Sequence, residues 1–230
     1  MRPGLDCLQP LVGAIAVSEG QMAALANGSA KSVREAIDPW PRRLVDIVVA
    51  SAALGIVGLP MLIVALLIRL DSPGPVFFVQ KRLGRYRRPF GCIKFRTMRD
   101  DAERDTGPIW STKGDPRVTR LGRVLRRTRI DELPQLFNVL RGEMAIVGPR
   151  PIRQCFADQL GASEPRFNRR FEVKPGLTGW AQICLDYPST VEAQLEKLEY
   201  DLYYIENRTL WLDLRIMALT CGVVVRREGV

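Results

Sequence analysis

Two adjacent carboxylates, Asp131 and Glu132, are the residues of this chain best suited to catalysis. They lie in a strongly cationic stretch, because residues 81–153 hold 19 Lys and Arg against 8 Asp and Glu. An ionised Asp can attack phosphorus, and a neighbouring acid can bind a divalent cation or act as a base. The pair therefore indicates chemistry on a phosphorylated substrate, with Mg²⁺ as the fitting metal at Asp131 and Glu132. The simpler alternative is that both acids only favour the start of a helix.

The local pattern predicts a helix from Ile130 to Arg141, which would place both acids in its first turn. Thr128 is a suitable N-cap, Pro134 is tolerated near the start, and Gly142 ends the pattern. Unpaired N–H groups at such a helix start would favour negative charge by about 0.3–1 kcal/mol.

Two further segments could present cations to an anionic substrate. Lys94 and Arg96 alternate with apolar residues, so both are expected on one face of a strand as candidate substrate-binding residues. Arg150 lies between Pro149 and Pro151, in a stiff turn that can hold its guanidinium toward an anion. Taken singly, each segment is more simply explained as part of a solvated surface.

Composition narrows the classes of function. The net charge of +9 and the pI of about 9.7 fit nucleic acid, anionic lipid or a phosphorylated substrate. The absence of histidine from the sequence excludes Ser–His hydrolysis and His-ligated zinc. Five scattered cysteines indicate reduced thiols in the cytosol rather than a disulfide framework.

An apolar segment from Ile47 to Ile68 carries no charge for 22 residues. As a helix it would be about 33 Å long, which is enough to cross the hydrocarbon core of a bilayer. Pro60 removes a backbone donor, Leu59 before it is pushed away from helical geometry, and basic residues flank both ends. These features favour a re-entrant helix broken at Leu59 and Pro60, with a kinked spanning helix as the alternative.

Residues 1–38 are weakly patterned, and a disordered extension is expected there rather than a signal peptide. The last apolar segment contains Asp213 and Arg215, so it is expected to lie in the membrane interface rather than cross. The other elements are expected to be short strands and amphipathic helices: strands at Val76–Val79 and Phe90–Phe95, and helices at Thr119–Arg127, Val191–Ile205 and Leu210–Val225.

Several motifs in a fixed order, from about Arg42 to Arg227, resemble the bacterial sugar transferase family of monotopic polyprenyl-phosphate phosphoglycosyl transferases. Each motif is several residues long, which makes the resemblance specific. They are Arg43–Asp46, Asp71–Phe78, Lys94–Met98, Asp115–Thr119, Asp131–Gln135, Val147–Pro151, Lys174–Gln182 and Tyr200–Tyr204.

The resemblance implies transfer of a sugar-1-phosphate from a UDP-sugar to undecaprenyl phosphate with Mg²⁺, which would start an exopolysaccharide or another glycan. Asp131 would be the nucleophile that forms a covalent phosphosugar intermediate, and Glu132 would complete the dyad. Four further positions match the family's substrate-binding and supporting residues: Lys94, Arg126, Arg150 and Asp201.

The same resemblance implies an α/β fold at the bacterial inner membrane, with the catalytic domain on the cytoplasmic face. Residues 41–70 would form the re-entrant helix, and residues 71–230 a catalytic domain with amphipathic surface helices around a small sheet. Residues 1–40 lie outside the match, and Leu59 replaces the family's serine before Pro60. Nucleic acid is not an expected partner; the sugar and the oligomeric state, a homo-oligomer included, stay open. The alternative function is a basic membrane-tethered module that binds nucleic acid or anionic lipid without catalysis.

Overall fold

The structure is a computed structural model that describes residues 40–99, 102, 115–185 and 191–225. The expectation of a disordered extension over residues 1–38 falls outside these ranges. Helix α1, Trp40–Asp71, is the one helix in the described residues that is long and apolar enough to cross a membrane.

Helix α1 is continuous through Leu59 and Pro60, so the predicted break in helical structure at these residues is wrong. Proline removes one hydrogen bond and crowds the preceding turn. Here twenty helical residues precede Pro60 and eleven follow it. Because helical hydrogen bonding propagates cooperatively on both sides, the loss at one position does not end the helix.

The two ends of α1 are fixed to the rest of the described chain. At the start, Arg43 donates to the carbonyl oxygens of Val139 and Leu140 at 2.6 and 2.7 Å, and Asp46 accepts from the Ile146 N–H at 2.8 Å. At the other end, Ile68 is only 2% exposed. Between these ends most of the apolar side chains point outward: Leu44, Ile47, Val48, Ile56, Leu59, Leu62, Ile63, Leu66, Leu67 and Leu70 are exposed.

An antiparallel hairpin follows α1, and Lys94 lies near the end of its second strand. Strand β1, Phe77–Leu83, pairs with β2, Pro89–Phe95, which extends the short strands expected from the sequence. The 3₁₀ turn between them, Arg85–Arg87, contains two consecutive non-glycine residues with positive φ, Tyr86 and Arg87.

The predicted helix around the carboxylate pair is divided in the structure. Helix α2, Arg120–Arg127, ends at Thr128; a 3₁₀ turn, Ile130–Glu132, carries both acids, and helix α3 covers only Gln135–Arg141. Thr128 is therefore not an N-cap, because its hydroxyl donates back to the carbonyl oxygens that close α2. Gly142 does end α3, with the positive φ of 79° that a left-handed cap requires.

The second half of the chain packs around two short parallel strands. Strand β3, Ala145–Val147, pairs with β4, Gly176–Thr178. Five further segments complete the described chain: helix α4 (Gln154–Ser163), a 3₁₀ segment (Pro165–Glu172), and helices α5 (Trp180–Cys184), α6 (Val191–Glu206) and α7 (Leu210–Val225). Helices α2, α6 and α7 confirm the predicted ones almost residue for residue.

Two apolar clusters are seen among the residues that the structure describes. One joins the hairpin to α4, the 3₁₀ segment and α6 through Leu83, Leu160, Phe167 and Leu198. The other joins α1 to the hairpin and α2 through Met61, Ile68, Phe95 and Leu125. The described residues are thus mostly helical with two two-stranded sheets, an arrangement consistent with the expected α/β class.

Candidate active site

Three segments that are distant in sequence meet at Glu132. Lys94, at the end of β2, donates from Nζ to Glu132 Oε1 at 2.8 Å. Arg150, in the Gly-Pro-Arg-Pro turn after β3, holds both carboxylate oxygens of Glu132, with an Nη1–Oε2 distance of 3.0 Å. Burial raises the pKa of Glu132, but Arg150 and Lys94 outweigh it and hold that pKa well below its ordinary value. Glu132 is therefore an ionised anchor for two cations.

Asp131 lies next to Glu132 but differs from it in its contacts and in the direction of its pKa shift. It is 7% exposed, and within the described part of the chain its carboxylate makes no hydrogen bond or ion pair. Burial raises the pKa of Asp131 above its ordinary value; the charge of Lys94 opposes the shift, and that of Glu132 adds to it. Burial therefore opposes ionisation of Asp131, whereas Arg150 and Lys94 keep Glu132 ionised.

Arg126 is the third cation near the pair. Its Nε donates to Thr97 Oγ1 at 2.9 Å, which fixes α2 to the segment after β2. Its charge also lowers the pKa of Asp131. The structure therefore brings together five of the predicted site residues: Lys94, Arg126, Asp131, Glu132 and Arg150.

Arg96 does not join this group. Strand β2 ends at Phe95, so the alternation that would place Lys94 and Arg96 on one face stops before Arg96. Its guanidinium instead donates to the Ser72 carbonyl oxygen at 2.6 Å and to the Ser72 hydroxyl at 2.9 Å. Arg96 thereby fastens the turn that follows α1.

Asp201 lies behind the site rather than in it. It is 3% exposed on α6, and its Oδ2 lies 2.8 Å from Arg170 Nε. Arg170 Nη2 in turn donates to the carbonyl oxygen of Arg150 at 3.0 Å. Within the part of the chain that the structure describes, these two arginines connect Asp201 to the catalytic pair.

The turn that presents Arg150 is fixed by a close approach of two backbones. A Cβ atom on Gly176 would lie 2.1 Å from the nitrogen of Gly148, and one on Gly148 would lie 2.5 Å from the carbonyl oxygen of Lys174. Only glycine allows the loop before β4 to pack this closely against the turn after β3. Two of the sequence motifs are thus explained by packing that positions Arg150.

Reasoning from sequence missed several residues that shape the site. Arg129 precedes the acidic turn with φ of 60°, and its charge lowers the pKa of Glu132. Arg170 and Lys197 lie in the layer behind Arg150. A positive φ at an arginine has no local sequence signal, and the contacts of Arg170 join residues far apart in the chain.

The fit to Mg²⁺ differs between the two acids. Among the described residues no group of three or more Asp, Glu, Cys or His side chains could hold a metal ion. Glu132 fits poorly as a ligand, because both its oxygens already accept from Arg150 and Lys94. Asp131 fits, because Mg²⁺ is commonly bound by one or two carboxylates together with substrate phosphates.

Comparison with known proteins identifies the family. Residues 37–227 match the bacterial sugar transferase family. The chain belongs to this family. A member from Aeromonas hydrophila, named UDP-N-acetylgalactosamine-undecaprenyl-phosphate N-acetylgalactosaminephosphotransferase, is 44% identical over 188 residues, which are 82% of this chain and 44% of that protein.

Two further proteins are similar. The UDP-glucose:undecaprenyl-phosphate glucose-1-phosphate transferase of Caulobacter vibrioides is 44% identical over 193 residues, which cover 79% of this chain and 71% of that protein. The exopolysaccharide production protein PSS of Rhizobium leguminosarum is 41% identical over 188 residues, covering 76% and 90%. The match thus spans less than half of the Aeromonas sugar transferase but most of the other two.

Proposed function

We propose that this sugar transferase moves a sugar-1-phosphate from a UDP-sugar to undecaprenyl phosphate through a covalent intermediate on Asp131, starting a polysaccharide on its lipid carrier. The names of the similar sugar transferases support the donor and acceptor classes. These names differ in the sugar, so the proposal stops at a UDP-sugar.

The observation that carries the proposal is that the two acids differ in their contacts. Glu132 is held at both oxygens by Lys94 and Arg150, so its lone pairs are engaged. The Asp131 carboxylate has no such partner in the described residues. Asp131 is therefore the acid that can attack phosphorus, and Glu132 is the acid that orders the cations around it.

The reaction is two displacements at one phosphorus atom. A carboxylate oxygen of Asp131 bonds to the β-phosphorus of the UDP-sugar, the bond from that phosphorus to the bridging oxygen breaks, and UMP leaves. A phosphate oxygen of undecaprenyl phosphate then bonds to the same phosphorus, and the Asp131 carboxylate is released. Two steps allow a water-soluble donor and a lipid acceptor to use the site in turn.

The cations of the site would stabilise the charge that develops during both steps. Lys94, Arg126 and Arg150 surround the acids from three segments, and donors fixed in advance stabilise a transition state without reorganisation. Mg²⁺ bound at Asp131 and the donor phosphates would supply further positive charge. Because Glu132 is ionised and paired with Lys94 and Arg150, it holds these two cations in place beside Asp131.

The proposal is tested with purified protein, Mg²⁺, UDP-glucose or UDP-N-acetylgalactosamine, and undecaprenyl phosphate. We expect one UMP per enzyme without acceptor, continued release with excess acceptor, and a phosphosugar mass on the peptide that contains Asp131. Asp131→Asn should abolish all three signals, whereas the exposed-site control Asp158→Asn should retain them. Turnover at the wild-type rate in Asp131→Asn would exclude the nucleophile assignment. A protein that binds nucleic acid or anionic lipid but releases no UMP from any donor would instead support the non-catalytic module.

We also propose that both ends of α1 lie on the cytoplasmic side of the membrane, with the catalytic residues. Arg43 and Asp46 at its start hydrogen-bond to residues around α3 and β3, and Ile68 near its end packs with Phe95 and Leu125. A helix with both ends fixed to residues that build one site does not place those ends on opposite sides. Its exposed apolar side chains suit contact with lipid between them.

A further inference from the structure

A buried cluster of charges lies behind Arg150. Lys197 and Asp201 are four residues apart on α6, so their side chains project from the same face of the helix. They are 7% and 3% exposed. Arg170 approaches Asp201 from the 3₁₀ segment, with 2.8 Å between Nε and Oδ2. The buried Asp201 carboxylate is therefore in contact with one cation, Arg170, and a second buried cation, Lys197, lies on the same helix face.

Arg170 connects this cluster to the catalytic pair. Its Nη2 donates to the carbonyl oxygen of Arg150 at 3.0 Å, and its guanidinium lies 4.7 Å from the centre of the Phe167 ring. The side chain of Arg150 holds Glu132. Arg170 thus holds the main chain of the turn that carries Arg150. Asp201 in turn neutralises the charge of Arg170.

Lys197 is the cation of the cluster without a direct partner. Its side chain makes no hydrogen bond or ion pair with another described residue. Burial lowers the pKa of Lys197 to about 7, the charge of Asp201 opposes the shift, and the charges of Arg170, Arg150 and Arg82 add to it. These four groups come from α6, the 3₁₀ segment, the turn after β3 and β1.

We propose that Lys197 is a positioning residue whose charge sets how firmly Asp201 holds Arg170, and through Arg170 the backbone of Arg150. A charged Lys197 competes with Arg170 for Asp201 and repels both arginines. A neutral Lys197 leaves Asp201 to Arg170, which fixes the Arg150 turn beside Glu132. The inference rests on the proposed function, because the readout is catalysis at Asp131.

The direction of the effect follows from the charges. Lys197 loses its proton as the pH rises, so the Arg150 turn becomes better fixed and turnover rises. A single group that titrates near pH 7 is about 9% deprotonated at pH 6 and about 91% at pH 8, which gives a rise of about tenfold.

The test is the pH profile of kcat for UMP release between pH 5.5 and 9. The acceptor is undecaprenyl phosphate, and the donor is whichever of UDP-glucose and UDP-N-acetylgalactosamine the wild type uses. Lys197→Met should stay at the high plateau and lose the rise near pH 7. Lys197→Arg, always charged, should stay near the low level throughout. The exposed-site control Lys81→Met should follow the wild type. A change in folding alone would scale the profile at every pH and leave its shape unchanged.

Three results would overturn the inference: the wild-type rise persisting in Lys197→Met, wild-type turnover of Lys197→Arg at high pH, or wild-type turnover that falls through pH 7. If Lys197→Arg does not fold, Lys197→Met decides the question alone. Mass spectrometry separates this failure from failure of the proposed function. A phosphosugar on Asp131 with an unchanged Lys197→Met profile refutes only the role of Lys197, whereas absence of the adduct with every donor refutes the function itself.

Discussion

Replacing Glu132 by glutamine tests the core of the site, because Glu132 is the shared partner of Lys94 and Arg150. The change keeps the size of the side chain and removes its charge. Both cations, whose side chains are only 16% and 13% exposed, then lose their carboxylate. Breaking one side of a buried ion pair costs about 3–5 kcal/mol. For a chain of 150–250 residues, each kcal/mol lowers the melting temperature by about 2–4 °C, so Glu132→Gln should melt about 6–20 °C lower.

The pH dependence of this loss has a defined sign. The folded-state pKa of Glu132 lies well below the ordinary value of 4.5. The stabilisation from Glu132 is therefore fully present above about pH 4.5 and is lost as the pH falls through the lowered folded-state value. The difference between wild type and Glu132→Gln should be constant from pH 6 to 8 and should shrink below about pH 4.5.

The assay is thermal unfolding in one detergent, followed by tryptophan fluorescence at several pH values. The matched control is Glu206→Gln, which breaks the Arg169–Glu206 pair of 2.7 Å whose side chains are 39% and 27% exposed. An exposed pair contributes about 0.2–1 kcal/mol, so this variant should melt close to the wild type. Equal losses in the two variants, or a Glu132→Gln loss that grows on acidification, would refute the electrostatic account of the site.

Two further predictions test the support of the site and its place at the membrane. Gly176→Ala should strongly reduce folded protein and UMP release, because its Cβ would lie 2.1 Å from the Gly148 nitrogen; Gly55→Ala, with open space around its Cβ, is the control for both measurements. Cysteines introduced singly at Trp40 and Asp71 should both react with an impermeant thiol reagent only from the cytoplasmic side. The labelling of the unsubstituted chain, which has five cysteines of its own, is subtracted. Labelling of the two positions from opposite sides would show that α1 crosses the membrane.

The sequence by itself determined the features that depend on near neighbours. The apolar spacing over Thr119–Arg127 predicted α2, and the uniform apolarity from Ile47 to Ile68 predicted a long membrane-associated helix. The order of the motifs identified the family, which the match over residues 37–227 confirms. Spacing, apolarity and motif order can all be read along the chain without knowledge of which distant segments meet.

Prediction from local sequence failed where one residue was compatible with more than one structure. Thr128 fits the start of one helix and the end of another, and its hydroxyl bonds to the carbonyl oxygens of the helix before it. Pro60 disfavours a helix locally, but the helical residues on both sides continue through it. These choices depend on the total stability of neighbouring elements, which a local pattern does not contain.

Only the tertiary structure decided which charges meet. Lys94 is 38 residues from Glu132 and Arg150 is 18 residues away, yet both hold that carboxylate, while Arg96 turns to Ser72 instead. A charged side chain in a dry interior must find an opposite charge or a hydrogen-bond partner, and the packing of distant segments determines which one is within reach. The sequence therefore supplied the two acids and an excess of basic residues, and the fold selected which acid is held and which is left open.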